Sequence, residues 1–235
     1  MDSLSFSYNL DVEKAYIIRV AGNDKSEQLA TRAADSCKKV GQSYQLWDAY
    51  NGLGGGIIPP SHHNPVMNLM KVTDHYLTRG EIACALSHIS LWNHCCQIDR
   101  PIVILEHDAV MVNKYEQHAL FNSICYLGSD EQVNHGWKVM PTPPHATEGK
   151  NYHFICRAHA YAIDPAVAKN LLSYVIKQGI CASLDMLMRA DLFPIHQMGV
   201  YAYDVVEMEN GKKATTITGR STEGRSTKRN DKLEW

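Results

Sequence analysis

The chemistry that this sequence offers is concentrated in two acids, Glu106 and Asp108, which directly follow an apolar run at residues 101–105. Such a run is typical of a central strand that is buried on both faces. Open α/β sheets place their ligands at the carboxyl ends of such strands. Two carboxylates at positions i and i+2 suit a hard divalent cation that carries a substrate's phosphates. The sequence therefore predicts a metal-assisted phosphate or nucleotide site at this strand end.

The helix predicted before that strand adds two candidates, Glu81 and His88. Thr78 and Glu81 fit a capping box that opens a helix running to about residue 97. Seven residues separate Glu81 from His88, so two helical turns place them on nearly the same face. Each also has a purely structural interpretation. Glu81 closes the capping box, and a single histidine is more often a hydrogen-bonded structural residue than a ligand.

A third acid, Asp185, belongs to a short helix that Ser183 is predicted to open. Apolar residues flank it on both sides, so the carboxylate sits beside an apolar face. The residues alone slightly favour a helix-capping or solvent-facing role for Asp185.

The pattern of the first sixty residues predicts the start of an α/β fold. Residues 15–20 form a strand, residues 26–40 a helix and residues 44–47 a second strand, which is the beginning of a βαβ unit. The glycine- and proline-rich residues 51–60 match neither a Walker nor a dinucleotide fingerprint, because the spacing and the lysine are missing. A plain flexible loop is the better interpretation of that segment.

The second half of the chain is expected to continue this alternation. Residues 114–127 are predicted to be helical, residues 137–140 to form a short strand, and residues 141–145 a proline-rich loop. This excursion is a candidate wall for an acceptor. A helix then begins at Pro165, capped by Asp164, and ends at Gly179.

The composition excludes several classes of protein. A chain of 235 residues, 45% of them hydrophobic, can bury a full core, and a formal charge of −2 gives no reason to expect a general polyanion binder. No stretch approaches the length of a membrane span, and no secretory signal pattern opens the chain. The seven cysteines show neither a disulfide framework nor a zinc spacing. A reducing cytoplasm is therefore the expected location, and the oligomeric state stays open.

Several blocks of the sequence resemble one known family. Residues 77–92, followed by residues 104–108, closely resemble the family 25 glycosyltransferases, the lipopolysaccharide and collagen galactosyltransferase group. Residues 160–172 and 183–185 are similar to the second region of that family, and residues 215–217 are similar to its final signature. The resemblance covers most of the chain, and its blocks occur in the family's order.

The resemblance implies a fold and a division of the chain. The expected fold is α/β, a GT-A type single domain in which helices flank a Rossmann-like mixed sheet. This domain would occupy residues 15–219, after an N-terminal segment at residues 1–14 and before a basic, flexible tail at residues 220–235.

The resemblance also implies a reaction, the metal-dependent transfer of a sugar from a nucleoside-diphosphate donor to an acceptor hydroxyl with inversion. UDP is the nucleotide it favours. Asp108 is then expected to ligate the metal, with Glu106 as a direct or water-mediated partner. Glu81, Ser87 and His88 are expected to line the donor side.

The same resemblance gives Asp185 a catalytic role. Inverting transfer needs a carboxylate that takes the proton from the acceptor hydroxyl, and Asp185 lies in the matching block. His196 and Asp191 are weaker alternatives for this base, and a core or surface position is the more usual role for a histidine such as His196.

Two departures from the family pattern affect the site. His107 replaces the middle residue of the usual acidic trio, which leaves an acid-x-acid frame. Its imidazole would either add a metal ligand, favouring manganese over magnesium, or point away as alternate strand residues do. The usual Asn-Leu start followed by arginines is replaced by Arg19-Val20-Ala21, so the donor preference would differ too.

The acceptor and two other classes of function stay open from sequence. A glycan built in lipopolysaccharide biosynthesis is the family default, and the basic residues near the C-terminus leave room for a hydroxylated base in DNA, without the aromatic residues of a stacking platform. A metal-dependent phosphate hydrolase would use Glu106, His107 and Asp108 as ligands. A catalytically silent glycosyltransferase-like binding module would account for the altered trio.

Overall fold

The computed structural model describes residues 11–116, 123–129, 145–147, 150–152, 158–204, 208–209 and 212–213. Its first half contains β1 (Ala15–Arg19), α1 (Asp24–Val40), β2 (Tyr44–Asp48), a 3₁₀ turn (Pro65–Leu69), α2 (Arg79–Ile98), β3 (Ile102–Glu106) and β4 (Ala109–Met111). Its second half contains β5 (Ile124–Ser129), β6 (His145–Thr147), β7 (Lys150–Tyr152), β8 (Ala160–Ile163), α3 (Pro165–Gln178), α4 (Leu184–Leu187), β9 (Ile195–Asp204), β10 (Met208–Glu209) and β11 (Lys212–Lys213).

A seven-stranded mixed sheet forms the centre of the fold, with the strand order β2-β1-β3-β8-β5-β9-β4. β1 pairs in parallel with both β2 and β3, whereas β8 runs antiparallel to β3. The carboxyl ends of β1, β2 and β3 therefore meet at one edge, where β8 begins. The Glu106 amide donates to the His159 carbonyl oxygen at 2.8 Å, which ties the end of β3 to the start of β8.

Helices cover both faces of this sheet. Ile102 and Ile104 belong to the core that includes α2 and α3, while Val103 and Leu105 belong to the core that includes α1. This alternation is the period of two that a strand imposes on its side chains. The α/β fold with a Rossmann-like mixed sheet flanked by helices is therefore confirmed.

Local capping signals fix where the helices begin. The Asn23 side chain accepts from the Ser26 amide at the start of α1, Thr78 and Glu81 form a reciprocal capping box at α2, and Asp164 caps α3 ahead of Pro165. The predictions of these helices, of β1 and of β2 are confirmed within one or two residues. Within the described residues, no helix combines the length and the apolar character needed to cross a bilayer.

β3 ends at Glu106, and the chain turns before β4 begins beside β9. Two expectations are corrected. The helix predicted over residues 114–127 is wrong in the part that the structure describes, because residues 124–129 form β5, paired with β8 and β9. His145, expected in a loop, begins β6.

Several predicted segments lie outside the described residues. They are residues 1–10, the strand at residues 137–140, the rest of the proline-rich loop, the signature at residues 215–217 and the tail at residues 220–235.

A glycine after α3 anchors the segment that precedes α2. Gly179 has φ +78°, and a Cβ there would lie 2.6 Å from Thr73 Cγ2 and 2.8 Å from the Lys71 carbonyl oxygen. Gly41, at the end of α1, has a similar φ of +73° but nothing within 4 Å of its Cβ position. The two glycines thus share a positive φ but differ in packing and in ψ, which is 22° at Gly41 and 177° at Gly179.

Gly179→Ala is expected to destabilise the fold more than Gly41→Ala. The Gly41 change adds a left-handed strain of about 1 kcal/mol. The Gly179 change combines a backbone conformation that is essentially restricted to glycine with a steric overlap, for a loss of roughly 3 kcal/mol in the free energy of unfolding. Urea denaturation of the two variants measures the difference, and equal losses would contradict the close packing at Gly179.

Candidate functional site

The site is built where α2 passes the end of β3. Cys84 and His88 lie one helical turn apart on α2, and Glu106 is the last residue of β3. Glu106 Oε1 lies 3.4 Å from His88 Nε2 and 3.9 Å from Cys84 Sγ. A thiol, an imidazole and a carboxylate therefore meet at the carboxyl edge of the parallel strands.

A buried hydrogen-bond cluster holds the His88 ring in place. His88 Nδ1 shares a hydrogen bond of 2.9 Å with Tyr161 Oη, and Trp92 Nε1 donates to the same oxygen at 2.9 Å. The rings of His88 and Tyr161 are nearly parallel, with 12° between their planes. Only 1% of the His88 side chain is exposed, and within the described part of the chain its Nε2 makes no hydrogen bond. This nitrogen faces Glu106.

The environment of Glu106 favours its ionised form. Burial acts to raise the pKa of this carboxyl, but the imidazoles of His88, His107 and His159 act in the opposite direction and leave the pKa below its usual value. The Glu106 side chain is 31% exposed, so it lies at the border between the core and solvent. At neutral pH the end of β3 therefore presents a carboxylate to incoming ligands.

His107 contacts the opposite side of the sheet from Glu106. Its Nδ1 lies 2.8 Å from Ser26 Oγ, at the start of α1, and the same hydroxyl accepts from the Val20 amide. Burial lowers the pKa of His107, Arg32 and Lys25 lower it further, and Glu106 opposes them, so the ring is neutral near pH 7. With Nδ1 engaged, a metal would have to use Nε2.

Glu81 and Ser87 both have structural contacts. Glu81 Oε2 accepts from the Thr78 amide and Thr78 Oγ1 accepts from the Glu81 amide, as the capping box requires, and the Thr78 hydroxyl also donates to Glu81 Oε2. Ser87 Oγ accepts from the Tyr50 amide and donates to the Ala83 carbonyl oxygen, which fastens the segment after β2 to α2. Both residues are buried. Their contacts secure the α2 wall of the site, and a role in lining the donor side stays a prediction.

The two remaining acids of the predicted site lie on separate elements. Asp108 is half-buried in the turn between β3 and β4. Asp185 is half-buried on α4, where its Oδ1 accepts from the Ser183 hydroxyl at 2.7 Å and from the Met186 amide at 3.1 Å. The roles of Asp108 as a metal ligand and Asp185 as a base stay predictions.

Asp191 and His196, the weaker candidates for the catalytic base, lie on other elements than Asp185. Asp191 pairs with Arg189 on an exposed turn, and His196 is half-buried on β9, opposite Cys125 of β5.

The sequence interpretation missed Cys84, Tyr161 and Trp92. The spacing of Cys84 and His88 at i and i+4 was a readable signal, since such residues share a helix face. Tyr161 lies 69 residues from Trp92 and 73 from His88, and no local pattern joins positions so far apart.

Tyr161→Phe is expected to lower the free energy of unfolding by roughly 1–3 kcal/mol. The change leaves the buried Trp92 Nε1 and His88 Nδ1 without their shared partner, and the cost is that of unsatisfied buried polar groups. Tyr76→Phe, at an exposed position, is the control and should change stability by less than about 0.5 kcal/mol. Equal stability of the two variants in urea denaturation would contradict the role given to the Tyr161 hydroxyl.

Comparison with known protein families matches the part of the chain that forms this site. A family model described as glycosyltransferase family 25 (LPS biosynthesis protein) matches residues 24–188, which include α2, β3, the acids after it and α4. None of the curated proteins compared with the chain matches it. The matched segment is more than half of the 235 residues. The chain therefore belongs to glycosyltransferase family 25.

Proposed function

We propose that this glycosyltransferase is metal-dependent and moves a sugar from a nucleoside-diphosphate donor, with UDP as the favoured nucleotide, to an acceptor hydroxyl with inversion. The observation that carries the proposal is the placement of Glu106 at the carboxyl edge of β1, β2 and β3, with Asp108 two residues further on. Ligands of open α/β sheets bind at this edge.

The residues at this edge fit a hard divalent cation. Asp108 would hold it, Glu106 would do so directly or through a water molecule, and His107 only through Nε2. Carboxylate oxygens suit magnesium and manganese alike, and an imidazole nitrogen would favour manganese. When bound, such a cation stabilises the negative charge that grows on the departing diphosphate.

The chain's own groups complete the reaction scheme. Asp185 would take the proton of the acceptor hydroxyl, while its hydrogen bonds to Ser183 and the Met186 amide orient the carboxylate. The α2 wall, with Glu81, Ser87 and His88, would shape the donor side.

A glycan is the acceptor that we favour, and the transferred sugar is a hexose or a pentose. The description of the matching family names lipopolysaccharide biosynthesis, which builds a glycan. The alternative acceptor, a hydroxylated base in DNA, was predicted from the basic residues near the C-terminus. Those residues lie almost entirely outside the described part of the chain. A cytoplasmic location stays a prediction.

Asp108→Asn is expected to reduce transfer by roughly 10²–10³-fold and leave the fold intact, because one charged ligand of the diphosphate cation is lost. The measurement is slow hydrolysis of a panel of UDP-sugars with Mn²⁺, which requires no knowledge of the acceptor. Asp35→Asn, an exposed change on α1, is the control. Near-normal turnover by Asp108→Asn would remove Asp108 from the site.

Two further measurements separate the competing functions. Release of phosphate from simple esters without a sugar donor would favour a hydrolase. Metal-dependent UDP binding by calorimetry, with no turnover of any donor, would favour a silent binding module.

Asp185→Asn is expected to lower turnover by roughly 10²–10⁴-fold, the usual contribution of a general base, while metal-dependent UDP binding is retained. Asp191→Asn, an aspartate six residues away in an exposed ion pair, is the matched comparison. A larger loss in Asp191→Asn than in Asp185→Asn would transfer the role of base to Asp191.

A further inference from the structure

We infer that Cys84, His88 and Glu106 form a second metal site, selective for zinc and similar transition-metal ions. Its ligand set differs from that of the hard cation proposed at Glu106 and Asp108. The sequence showed no zinc spacing, because two ligands come from α2 and the third from the end of β3.

The distances suit a zinc ion. One ligand atom from each of the three residues lies within 4.8 Å of the other two. The closest pairs are Glu106 Oε1 with His88 Nε2 at 3.4 Å and with Cys84 Sγ at 3.9 Å. Tetrahedral zinc with bonds of about 2.0–2.3 Å places its ligand atoms roughly 3.3–3.8 Å apart. Shifts of less than about an ångström, within reach of side-chain rotation, would close the site.

His88 is already oriented as a metal ligand. Its Nε2 is buried and lies 3.4 Å from Glu106 Oε1, and no other polar atom of the described residues bonds to it. Coordination through Nε2 requires the ring proton to be on Nδ1, where Tyr161 Oη is 2.9 Å away and can accept it. A hydrogen bond from the far nitrogen of a ligating histidine to an oxygen is the usual support in zinc sites.

The chemistry of the three groups selects the ion. A thiolate, a neutral imidazole and a carboxylate together carry two negative charges, which one divalent ion neutralises. Thiolate sulfur favours zinc over magnesium or manganese, and three protein ligands with an open fourth position are typical of non-structural zinc sites. Cys84 is half-buried and Glu106 is 31% exposed, so two of the three ligands lie at the border between the core and solvent.

Shared use of Glu106 gives the second site a regulatory consequence, which rests on the proposed function. A zinc ion bound to this carboxylate removes it from the cation that accompanies the donor diphosphate. Zinc is therefore expected to inhibit manganese-dependent transfer, and the inhibition should depend on Cys84.

Zinc binding by the full chain, after treatment with a chelator, tests the site directly. Calorimetry should show one tightly bound Zn²⁺ per chain, and Co²⁺ in its place should give a thiolate-to-cobalt charge-transfer absorption. Cys84→Ser should weaken Zn²⁺ binding at least about tenfold and remove that absorption. Cys96→Ser, a half-buried cysteine on the same helix whose Sγ contacts the Pro165 carbonyl oxygen, should change neither.

Either of two results would overturn the inference: no stoichiometric Zn²⁺ binding by the wild-type chain, or equal affinity in Cys84→Ser and Cys96→Ser. Neither measurement uses a sugar donor, so a cysteine-dependent zinc site would stand even if no donor were turned over. Asp108→Asn should retain zinc binding, and a loss equal to that of Cys84→Ser would also contradict a separate ligand set.

Discussion

The burial of polar groups between α2 and the sheet is the constraint on which the site depends. Trp92 Nε1, His88 Nδ1 and Tyr161 Oη are enclosed in an apolar core and bond to one another. Buried polar groups destabilise a fold unless they are paired, so only one rotation of α2 about its axis suits this cluster. That rotation also directs Cys84 toward Glu106. The geometry of the edge is thus set by contacts deeper in the core.

How far the sequence predicts this molecule depends on whether the signal is local. The capping box at Thr78 and the proline after Asp164 act within one helical turn, and their helices were predicted almost to the residue. Residues 124–129 carry an apolar pattern that a buried helix and a buried strand share, and pairing with β8 and β9 decides between them. The position of Glu106 was predictable from its strand, whereas its contact with Cys84 required the packing of α2.

The two sides of the sheet explain why an imidazole is accommodated at position 107. Where Glu106 turns toward α2, its neighbour contacts Ser26 beside the first turn of α1. The exposed amides of a helix start disfavour a positive charge, and Arg32 and Lys25 act in the same direction on His107. A neutral His107 ring, hydrogen-bonded to the Ser26 hydroxyl, places no positive charge at this helix start. The imidazole at position 107 therefore acts on the α1 side of the sheet, while Glu106 acts on the α2 side.

The pairing of β4 with β9 has a consequence for how the protein is made. Val110, two residues after Asp108, lies opposite Tyr203, and among the strands that the structure describes β9 is the partner of β4. Contacts between such distant positions form late, because a long loop must close first. On the ribosome, β4 can pair with β9 only after residues 195–204 have been synthesised. The strand that follows the acids therefore joins the sheet well after β1, β2 and β3 have been made.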